Sequence, residues 1–315
     1  MSQAPIAFVF PGQGSQSLGM LAELAAAHAE VQVAFAEASE GAGIDLWALA
    51  QQGPEDRLNQ TEFTQPALLA AGVAVWRVWL AQGGALPTLL AGHSLGEYAA
   101  LVAAGVLSLG DAARLVRERG RLMQAAVPAG VGGMAAVLGA DDALVAEVCA
   151  QASGDEVVVP ANYNSPGQIV IGGHVGALDR ALAELAARGV RKTVKLAVSV
   201  PSHTPLMRDA ARQLGEVMAS VSWAAPRIPV IHNVDAAGRG DCAAIRDALQ
   251  QQLYLPVRWS DCVRALAAGG ATRIAECGPG KVLVGLIRRI DKSLDARALG
   301  MPDDLASALA AWSAG

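Results

Sequence analysis

The sequence predicts an α/β protein in which a smaller subdomain interrupts a larger domain. Short apolar runs at 6–10 and 89–91 are each followed by helical periodicity, which is typical of a parallel sheet buried on both faces. Residues 134–200 show instead the order β-α-β-β-α-β, that of a ferredoxin-like subdomain. After residue 201 the pattern returns to strands and helices of the larger domain. We therefore expect residues 129–201 to form an insertion.

The helices and strands of the larger domain are predicted from the spacing of apolar residues and from capping residues. Thr61 to Pro66 is expected to break the helical segment 55–81, because proline cannot continue a helix. Ser108 can cap the helix after it, and Thr204 followed by Pro205 predicts another helix start. The predicted strands are 6–10, 89–91, 228–231 and 272–276, and the predicted helices are 18–29, 67–79, 97–104, 110–126, 242–253, 260–268, 282–289 and 302–312.

The insertion has alternating apolar residues in its last strand and two amphipathic helices. His174 stands at a predicted helix start, where a polar surface position is the ordinary interpretation. Pro201 ends the last strand and returns the chain to the larger domain. The predicted strands are 134–138, 157–161, 168–171 and 193–200, and the predicted helices are 141–152 and 175–188.

Composition limits the possible functions. With 315 residues, of which 53% are hydrophobic and 17% charged, the chain can bury a sizeable core. Its net charge of −5 argues against nucleic acid as a partner. No lysine or arginine precedes Arg57 and no apolar run could span a bilayer, so we expect neither a signal peptide nor membrane insertion. The four scattered cysteines lack metal-ligand spacing and are expected to be reduced thiols in the cytoplasm.

The segment Gly-His-Ser-Leu-Gly at 92–96 lies between a predicted strand and a predicted helix. A serine at such a turn, with glycine two residues before and after it, is typical of the nucleophile elbow. The hydroxyl of Ser94 would project from the end of the sheet, and the amide of Leu95 could stabilise an oxyanion. An ordinary Gly/Ser turn is the alternative.

A glycine-rich loop at 11–16 follows the first strand. A dinucleotide fingerprint would need glycine at position 17, which is Ser17, and no basic phosphate-binding residue is present. We therefore expect the loop to provide a main-chain donor beside Gln13 rather than to bind phosphate.

Arg119 and His203 are the other candidates. Arg119 lies in the apolar stripe of helix 110–126, whereas Arg114, Arg117 and Arg121 lie on its solvated side. An arginine in such a stripe must either find an anion or extend its charged end to solvent. A structural salt bridge is the alternative to a substrate. His203 lies where the insertion rejoins the larger domain and could act as a base, or cap a helix at the surface.

Six motifs together resemble the malonyl-CoA:acyl carrier protein transacylases of fatty-acid synthesis, along nearly the whole chain. The matching motifs are Phe-Pro-Gly-Gln-Gly-Ser-Gln at 10–16, Gly-His-Ser-Leu-Gly-Glu-Tyr at 92–98, Arg-Gly-Arg-Leu-Met-Gln at 119–124, Asn-Ser-Pro-Gly-Gln at 164–168, Pro-Ser-His at 201–203 and Gly-Pro-Gly at 278–280. The resemblance implies a discontinuous α/β-hydrolase-like domain, residues 1–128 and 202–315, with a ferredoxin-like subdomain at 129–201. The active site would lie in the cleft between them.

The resemblance also implies roles for individual residues. Ser94 would carry a malonyl ester, and His203 would serve as the base in both half-reactions. Arg119 would bind the free carboxylate of the malonyl group. The amides of Gln13 and Leu95 would form the oxyanion hole. A main-chain carbonyl would orient the histidine, here that of Gln252, although Leu255-Pro256 replaces the family's Asn-Pro nearby.

The expected substrates are malonyl-CoA and the thiol of an acyl carrier protein, with no cofactor and no metal. We expect a monomer that docks the acidic carrier through basic residues near Lys281, Arg288 and Arg289, with Lys292 beside them. A solvated helix face is the alternative for these residues. Two other classes stay open. A Ser-His-Asp hydrolase would need an acid such as Asp179 between serine and histidine, and it would need an HGGG-type loop, which is absent. A non-catalytic docking module would not need Ser94, His203 and Arg119 together.

Overall fold

A computed structural model describes residues 5–198 and 200–313. One sheet has five strands, all parallel, in the order β7-β2-β1-β8-β9. Its strands are β1 (Ile6–Phe10), β2 (Leu89–Gly92), β7 (Val230–Ile231), β8 (Arg273–Glu276) and β9 (Asp295–Ala298). This arrangement confirms the predicted parallel sheet and adds β9, which the sequence analysis missed.

The second sheet is antiparallel and lies between β2 and β7 in the chain. Its order is β4-β5-β3-β6. The strands and the two helices between them are β3 (Gly132–Leu138), α8 (Asp142–Ser153), β4 (Val158–Ser165), β5 (Gln168–His174), α9 (Val175–Ala187) and β6 (Lys192–Lys195). We call residues 129–201 the inserted segment. Its element order is the predicted β-α-β-β-α-β.

Helices cover both faces of the parallel sheet. The helices outside the inserted segment are α1 (Ala22–Ala27), α2 (Glu30–Ala42), α3 (Leu46–Gln52), α4 (Glu55–Leu58), α5 (Thr61–Ala81), α6 (Gly96–Ala103), α7 (Leu109–Ala125), α10 (Arg208–Met218), α11 (Cys242–Gln252), α12 (Trp259–Ala268), α13 (Val282–Ile290) and α14 (Pro302–Ser313). In β1, Phe8 and Phe10 pack in the core beside α5, whereas Ala7 and Val9 pack in the core beside α12 and α13. This alternation explains why β1 is apolar at every position.

The structure corrects several boundaries. Helix α1 begins at Ala22 rather than residue 18, because Leu21 has a left-handed backbone with φ 61°. The predicted break at 61–66 is wrong, since Pro66 lies inside α5. A proline here removes one helical hydrogen bond, and α5 is buried along most of its length, so packing outweighs that loss. Helices α2 and α3 were not predicted.

The end of the inserted segment also differs from the prediction. Strand β6 ends at Lys195 rather than at residue 200, and Ser199 lies outside the described residues. Leu196 and Val198 line a cleft instead, and Leu196 is still 36% exposed, so their alternation does not mark a buried strand. Thr204 does not cap a helix with its side chain but donates to the carbonyl of Pro201, and a 3₁₀ turn, Pro205–Met207, precedes α10.

Candidate active site

The turn between β2 and α6 is the tight elbow that the sequence predicts. A Cβ atom on Gly92 would lie 1.9 Å from the carbonyl carbon of Gly96, and one on Gly96 would lie 2.0 Å from the carbonyl oxygen of Phe10. Both positions therefore require glycine. Ser94 at the apex has φ 51°, a backbone conformation that residues other than glycine rarely adopt. The close approach of three main-chain segments, around Gly92, Gly96 and Phe10, holds the serine in this strained conformation.

His203 meets Ser94 across the cleft. Its Nε2 lies 2.8 Å from Ser94 Oγ, and its Nδ1 lies 2.6 Å from the main-chain oxygen of Gln252. The imidazole is only 3% exposed rather than at the surface. Burial, together with the positive charge of Arg119, lowers the pKa of His203 to about 3. The neutral ring can donate through Nδ1 to the carbonyl and accept the serine proton at Nε2.

Arg119 reaches the same point from α7, whose N-cap is Ser108 as predicted. Its Nη1 donates to Gln65 Oε1 at 2.8 Å, and its Nη2 donates to Gln252 Oε1 at 2.9 Å and to Ser94 Oγ at 3.3 Å. Among the described residues, no carboxylate pairs with this buried guanidinium and its Nε has no partner. No acidic side chain in the described part of the protein is therefore placed to form the structural salt bridge that was the alternative for Arg119.

The neighbouring arginines of α7 behave differently from one another. Arg114 and Arg121 are exposed and pair with acids on their own helix. Arg117, predicted to be solvated, is instead partly buried and donates to Glu62 and to the carbonyl of Ala42. The solvated side of α7 is thus narrower than its periodicity suggests.

The amides of Gln13 and Leu95 lie on the two loops beside Ser94. Neither amide donates to another group in the part of the chain that the structure describes. The two loops touch closely, because a Cβ atom on Gly12 would lie 2.6 Å from the carbonyl oxygen of His93. Two free amides beside a hydroxyl can stabilise a tetrahedral oxyanion.

A polar cluster that the sequence analysis missed lies beneath the elbow. Glu97 is fully buried and accepts from His232 Nδ1 at 2.6 Å, from the amide of Asn233 at 2.9 Å and from Gln252 Nε2 at 2.8 Å. Asn233 Oδ1 in turn accepts from the amide of Ser94 at 2.7 Å. The sequence offered one sign of this cluster. The polar residues Glu97, His232 and Asn233 stand next to apolar strands and helices.

The cleft above Ser94 has a volume of about 120 Å³. The larger domain lines it with the polar groups described above, and the inserted segment contributes Met134, Asn162, Val170, Leu196 and Val198. A wider cleft of about 560 Å³ shares several of these residues and opens between Gln16, Gln168 and Leu286. A long, flexible substrate arm could therefore reach Ser94 from outside.

Other candidates lie away from this cleft. Asp179 is exposed and pairs with Lys195, so it does not complete a triad with His203. His174 is half-buried and accepts from the amide of Val157. Across residues 5–198 and 200–313, no group of three potential ligands could hold a metal ion, and none of the helices is long and apolar enough to cross a membrane.

Comparison with known proteins shows the family of the chain. Residues 7–303 match the acyl transferase domain family. The malonyl CoA-acyl carrier protein transacylase of Salmonella typhimurium is 55% identical over 303 residues, covering 96% of this chain and 98% of that protein. The crystal structure of the malonyl-CoA:acyl carrier protein transacylase from Xanthomonas oryzae aligns with a TM-score of 0.98 at 73% identity, covering 99% of each chain.

A third relative was solved with a partner. It is a malonyl-transacylase in complex with a type II PKS acyl-carrier protein, and it aligns with a TM-score of 0.96 at 50% identity, covering 98% of this chain and 100% of that one. The family model and the relatives each match almost the entire chain. The chain therefore belongs to the acyl transferase family, among its malonyl CoA-acyl carrier protein transacylases.

Proposed function

We propose that the chain transfers a malonyl group from malonyl-CoA to the thiol of an acyl carrier protein through a malonyl ester of Ser94, in fatty-acid biosynthesis. Its relatives are named malonyl CoA-acyl carrier protein transacylases, which supports the transfer reaction. The observation that carries it is the buried guanidinium of Arg119, which lies 3.3 Å from Ser94 Oγ and has no acidic partner among residues 5–198 and 200–313. A malonyl group supplies the carboxylate that such a cation needs.

In the first half-reaction, Ser94 Oγ attacks the thioester carbonyl while His203 Nε2 accepts its proton. The amides of Gln13 and Leu95 stabilise the oxyanion. When the tetrahedral intermediate collapses, the carbon–sulfur bond breaks and the coenzyme leaves as a thiol with the proton from His203. In the second half, His203 deprotonates the carrier thiol, which attacks the ester and regenerates Ser94.

The main-chain oxygen of Gln252 would take the place that a carboxylate has in a Ser-His-Asp hydrolase. Its 2.6 Å contact with His203 Nδ1 fixes the tautomer that leaves Nε2 free to accept. Every atom transferred comes from the two substrates, and the reaction contains no redox step. We therefore propose that the enzyme needs no cofactor and no metal.

We also propose that the two sheets belong to two known types of domain. The element order and the strand order β4-β5-β3-β6 support a ferredoxin-like subdomain at 129–201. The parallel sheet with its elbow supports a discontinuous hydrolase-like domain at 1–128 and 202–315. The free cysteines, three of them buried, suit the reducing cytoplasm. A monomer stays an expectation.

Intact mass after mixing with malonyl-CoA tests the function. We expect a stable malonyl adduct that disappears when holo-acyl carrier protein is added, and none in Ser94→Ala, which should remain folded because alanine loses only a hydroxyl. A hydrolase would release malonate without waiting for the carrier, and a docking module would form no adduct. A full adduct in Ser94→Ala would remove Ser94 from the mechanism.

Docking of the carrier is proposed on the exposed basic residues of α13 and its N-cap. Arg289 Nη1 donates to Gln168 Oε1 at 2.6 Å, which places it at the mouth of the wider cleft. Lys281 is also exposed, whereas Arg288 extends towards the carbonyl of Ala296 in β9. An acidic carrier would be attracted to such a basic rim.

Charge reversal tests the docking site. Arg288→Glu with Arg289→Glu should lower kcat/KM for the carrier about 10-fold, since exposed interfacial charges contribute modestly, and should spare acylation by malonyl-CoA. The matched control is Arg212→Glu, at an exposed arginine of α10 that lines neither cleft. Equal losses in both half-reactions would contradict the docking role.

A further inference from the structure

Glu97 holds a negative charge in the interior directly beneath the elbow. Its exposed fraction is 0%, and its two oxygens accept from His232, from the main chain of Asn233 and from the side chain of Gln252. Burying a carboxylate is costly unless each oxygen is hydrogen-bonded. The chain bears this cost next to Ser94, and the chemistry described above makes no use of the carboxylate.

Gln252 links this carboxylate to three groups of the site. Its Nε2 donates to Glu97 Oε2 at 2.8 Å and to the carbonyl of Ser94 at 3.0 Å. Its Oε1 accepts from Arg119 Nη2 at 2.9 Å, and its main-chain oxygen accepts from His203. One residue therefore contacts the proposed base, the proposed carboxylate receptor and the backbone of the proposed nucleophile.

The amide of Gln252 can satisfy these partners in one orientation only. Glu97 and the carbonyl of Ser94 are acceptors, so the NH₂ group must face them, and the oxygen must then face Arg119. A flipped amide would place its oxygen against a carboxylate and its NH₂ group against a guanidinium. The charge of Glu97 thus selects the orientation that gives Arg119 an acceptor.

Asn233 adds a second connection. Its amide donates to Glu97 Oε2, while its side chain accepts from the amide of Ser94 and donates to the carbonyl of Gly92 at 2.7 Å. The left-handed backbone of Ser94 is therefore held on both sides by groups that Glu97 fixes.

We propose that Glu97 is a positioning residue for transacylation, which orients Arg119 and His203 through the side chain and main chain of Gln252. This inference rests on the function proposed above. The carboxylate does not contact substrate. It keeps the cation and the base in one relative geometry, so that the carboxylate and the thioester of one malonyl group can be bound together.

Glu97→Gln tests this role, because it preserves shape but gives Gln252 no obligatory acceptor. We expect kcat/KM for malonyl-CoA to fall about 10- to 100-fold, the range for losing a hydrogen bond to a charged group. The value for acetyl-CoA should fall less, because that substrate depends on the orientation of His203 but does not use Arg119. Equal losses for the two substrates, together with a lower Tm, would show a merely structural role and overturn the proposal.

A second variant tests whether Glu97 acts through Gln252. Gln252→Met keeps the main-chain carbonyl and much of the volume but removes the amide, so it should lower the malonyl-to-acetyl ratio in the same way. The double variant should lose little beyond the larger single loss, because the two residues act as one unit. Additive losses would overturn the proposal. If Glu97→Gln does not fold, an unchanged malonyl-to-acetyl ratio in Gln252→Met would overturn the proposal by itself.

Glu276 provides a matched control. It is also fully buried and accepts two main-chain donors, at Leu283 and Val284, but it contacts none of Ser94, Arg119, His203 and Gln252. Glu276→Gln should change Tm without changing the malonyl-to-acetyl ratio. The wild-type protein separates the two proposals: without a malonyl adduct the proposed function fails, whereas an adduct with an unchanged ratio in Glu97→Gln rejects only this inference.

Discussion

The two walls of the cleft differ in chemistry. The wall built on the parallel sheet supplies Ser94, Arg119 and His203, each held by buried polar partners. The wall from the inserted segment is mostly apolar, with Met134, Val170, Leu196 and Val198 facing the cleft and two asparagines among them. The comparison indicates that one wall performs the reaction and the other shapes the space in which it occurs.

The two walls also differ in how their residues are fixed. On the parallel-sheet side, hydrogen bonds join residues more than 100 positions apart, such as Ser94 with Asn233. The inserted segment has a separate small core and leaves Val194 and Leu196 substantially exposed. Substitutions on the first wall should therefore change rate and selectivity, and those on the second should mainly change binding.

The largest expected effect comes from His203→Ala. General-base catalysis typically contributes about 10²–10⁴-fold, and the same imidazole serves both half-reactions. Single-turnover acylation by malonyl-CoA and transfer from the loaded enzyme should both slow by this factor. His174→Ala, on the inserted segment, is the control and should have little effect. If transfer alone slowed, His203 would not be the base that activates Ser94.

Arg119→Ala should have the next largest effect, and a selective one. Leaving one charge of a buried pair without its partner costs about 2–5 kcal/mol, which corresponds to roughly 30- to several-thousand-fold in kcat/KM for malonyl-CoA. Acetyl-CoA should gain relative activity, and Arg119→Lys should be intermediate at best. Arg117→Ala, on the same helix but outside the cleft, should leave the ratio unchanged. An unchanged ratio in Arg119→Ala would contradict the assignment.

The pH dependence sharpens the same comparison. Because the pKa of His203 is about 3 rather than 6.5, its neutral, proton-accepting form should persist well below pH 6.5. The profile of kcat/KM for acetyl-CoA should therefore show no acid limb near 6.5. Removing the positive charge in Arg119→Ala should raise the pKa of His203 and shift the acid limb to higher pH. A wild-type acid limb at 6.5 would contradict the burial effect.

The smallest effect is expected on the apolar wall. Val198→Ala removes two methyl groups that line the cleft, which should raise KM for malonyl-CoA by less than about tenfold and leave kcat and the malonyl-to-acetyl ratio unchanged. Val194→Ala, at a largely exposed position of β6, is the control. A marked loss of kcat in Val198→Ala would show that this wall also takes part in the chemistry.

Local patterns predicted what is encoded locally. The elbow at Ser94 and the buried position of Arg119 follow from short motifs and from the helical period of α7. Residue spacing by itself could not place His203 beside Ser94, since 109 positions separate them and a chain of intervening elements brings them together. The resemblance to a known family, rather than any spacing, suggested that pairing.

What failed depended on partners distant in the chain. The continuation of α5 through Pro66 is decided by packing against other helices, and β9 forms because β8 offers it a parallel edge. Glu97 and Asn233 could not be recognised as a pair from the sequence. A hydrogen bond between residues 136 positions apart leaves no periodic pattern in the chain. Hydrophobic period and capping residues indicate the local conformational preference of a segment. The features that were missed depend instead on tertiary packing and hydrogen bonding.

The left-handed backbone at both residues of the proposed catalytic pair restricts which amino acids could ever replace them. Ser94 has φ 51° and His203 has φ 61°, a region where a β-branched side chain is strongly disfavoured. Threonine, although it carries the same hydroxyl, is therefore a poor substitute for the serine, whereas unbranched cysteine fits the backbone. The fold thus narrows the evolutionary choice of nucleophile through conformation before chemical reactivity is considered.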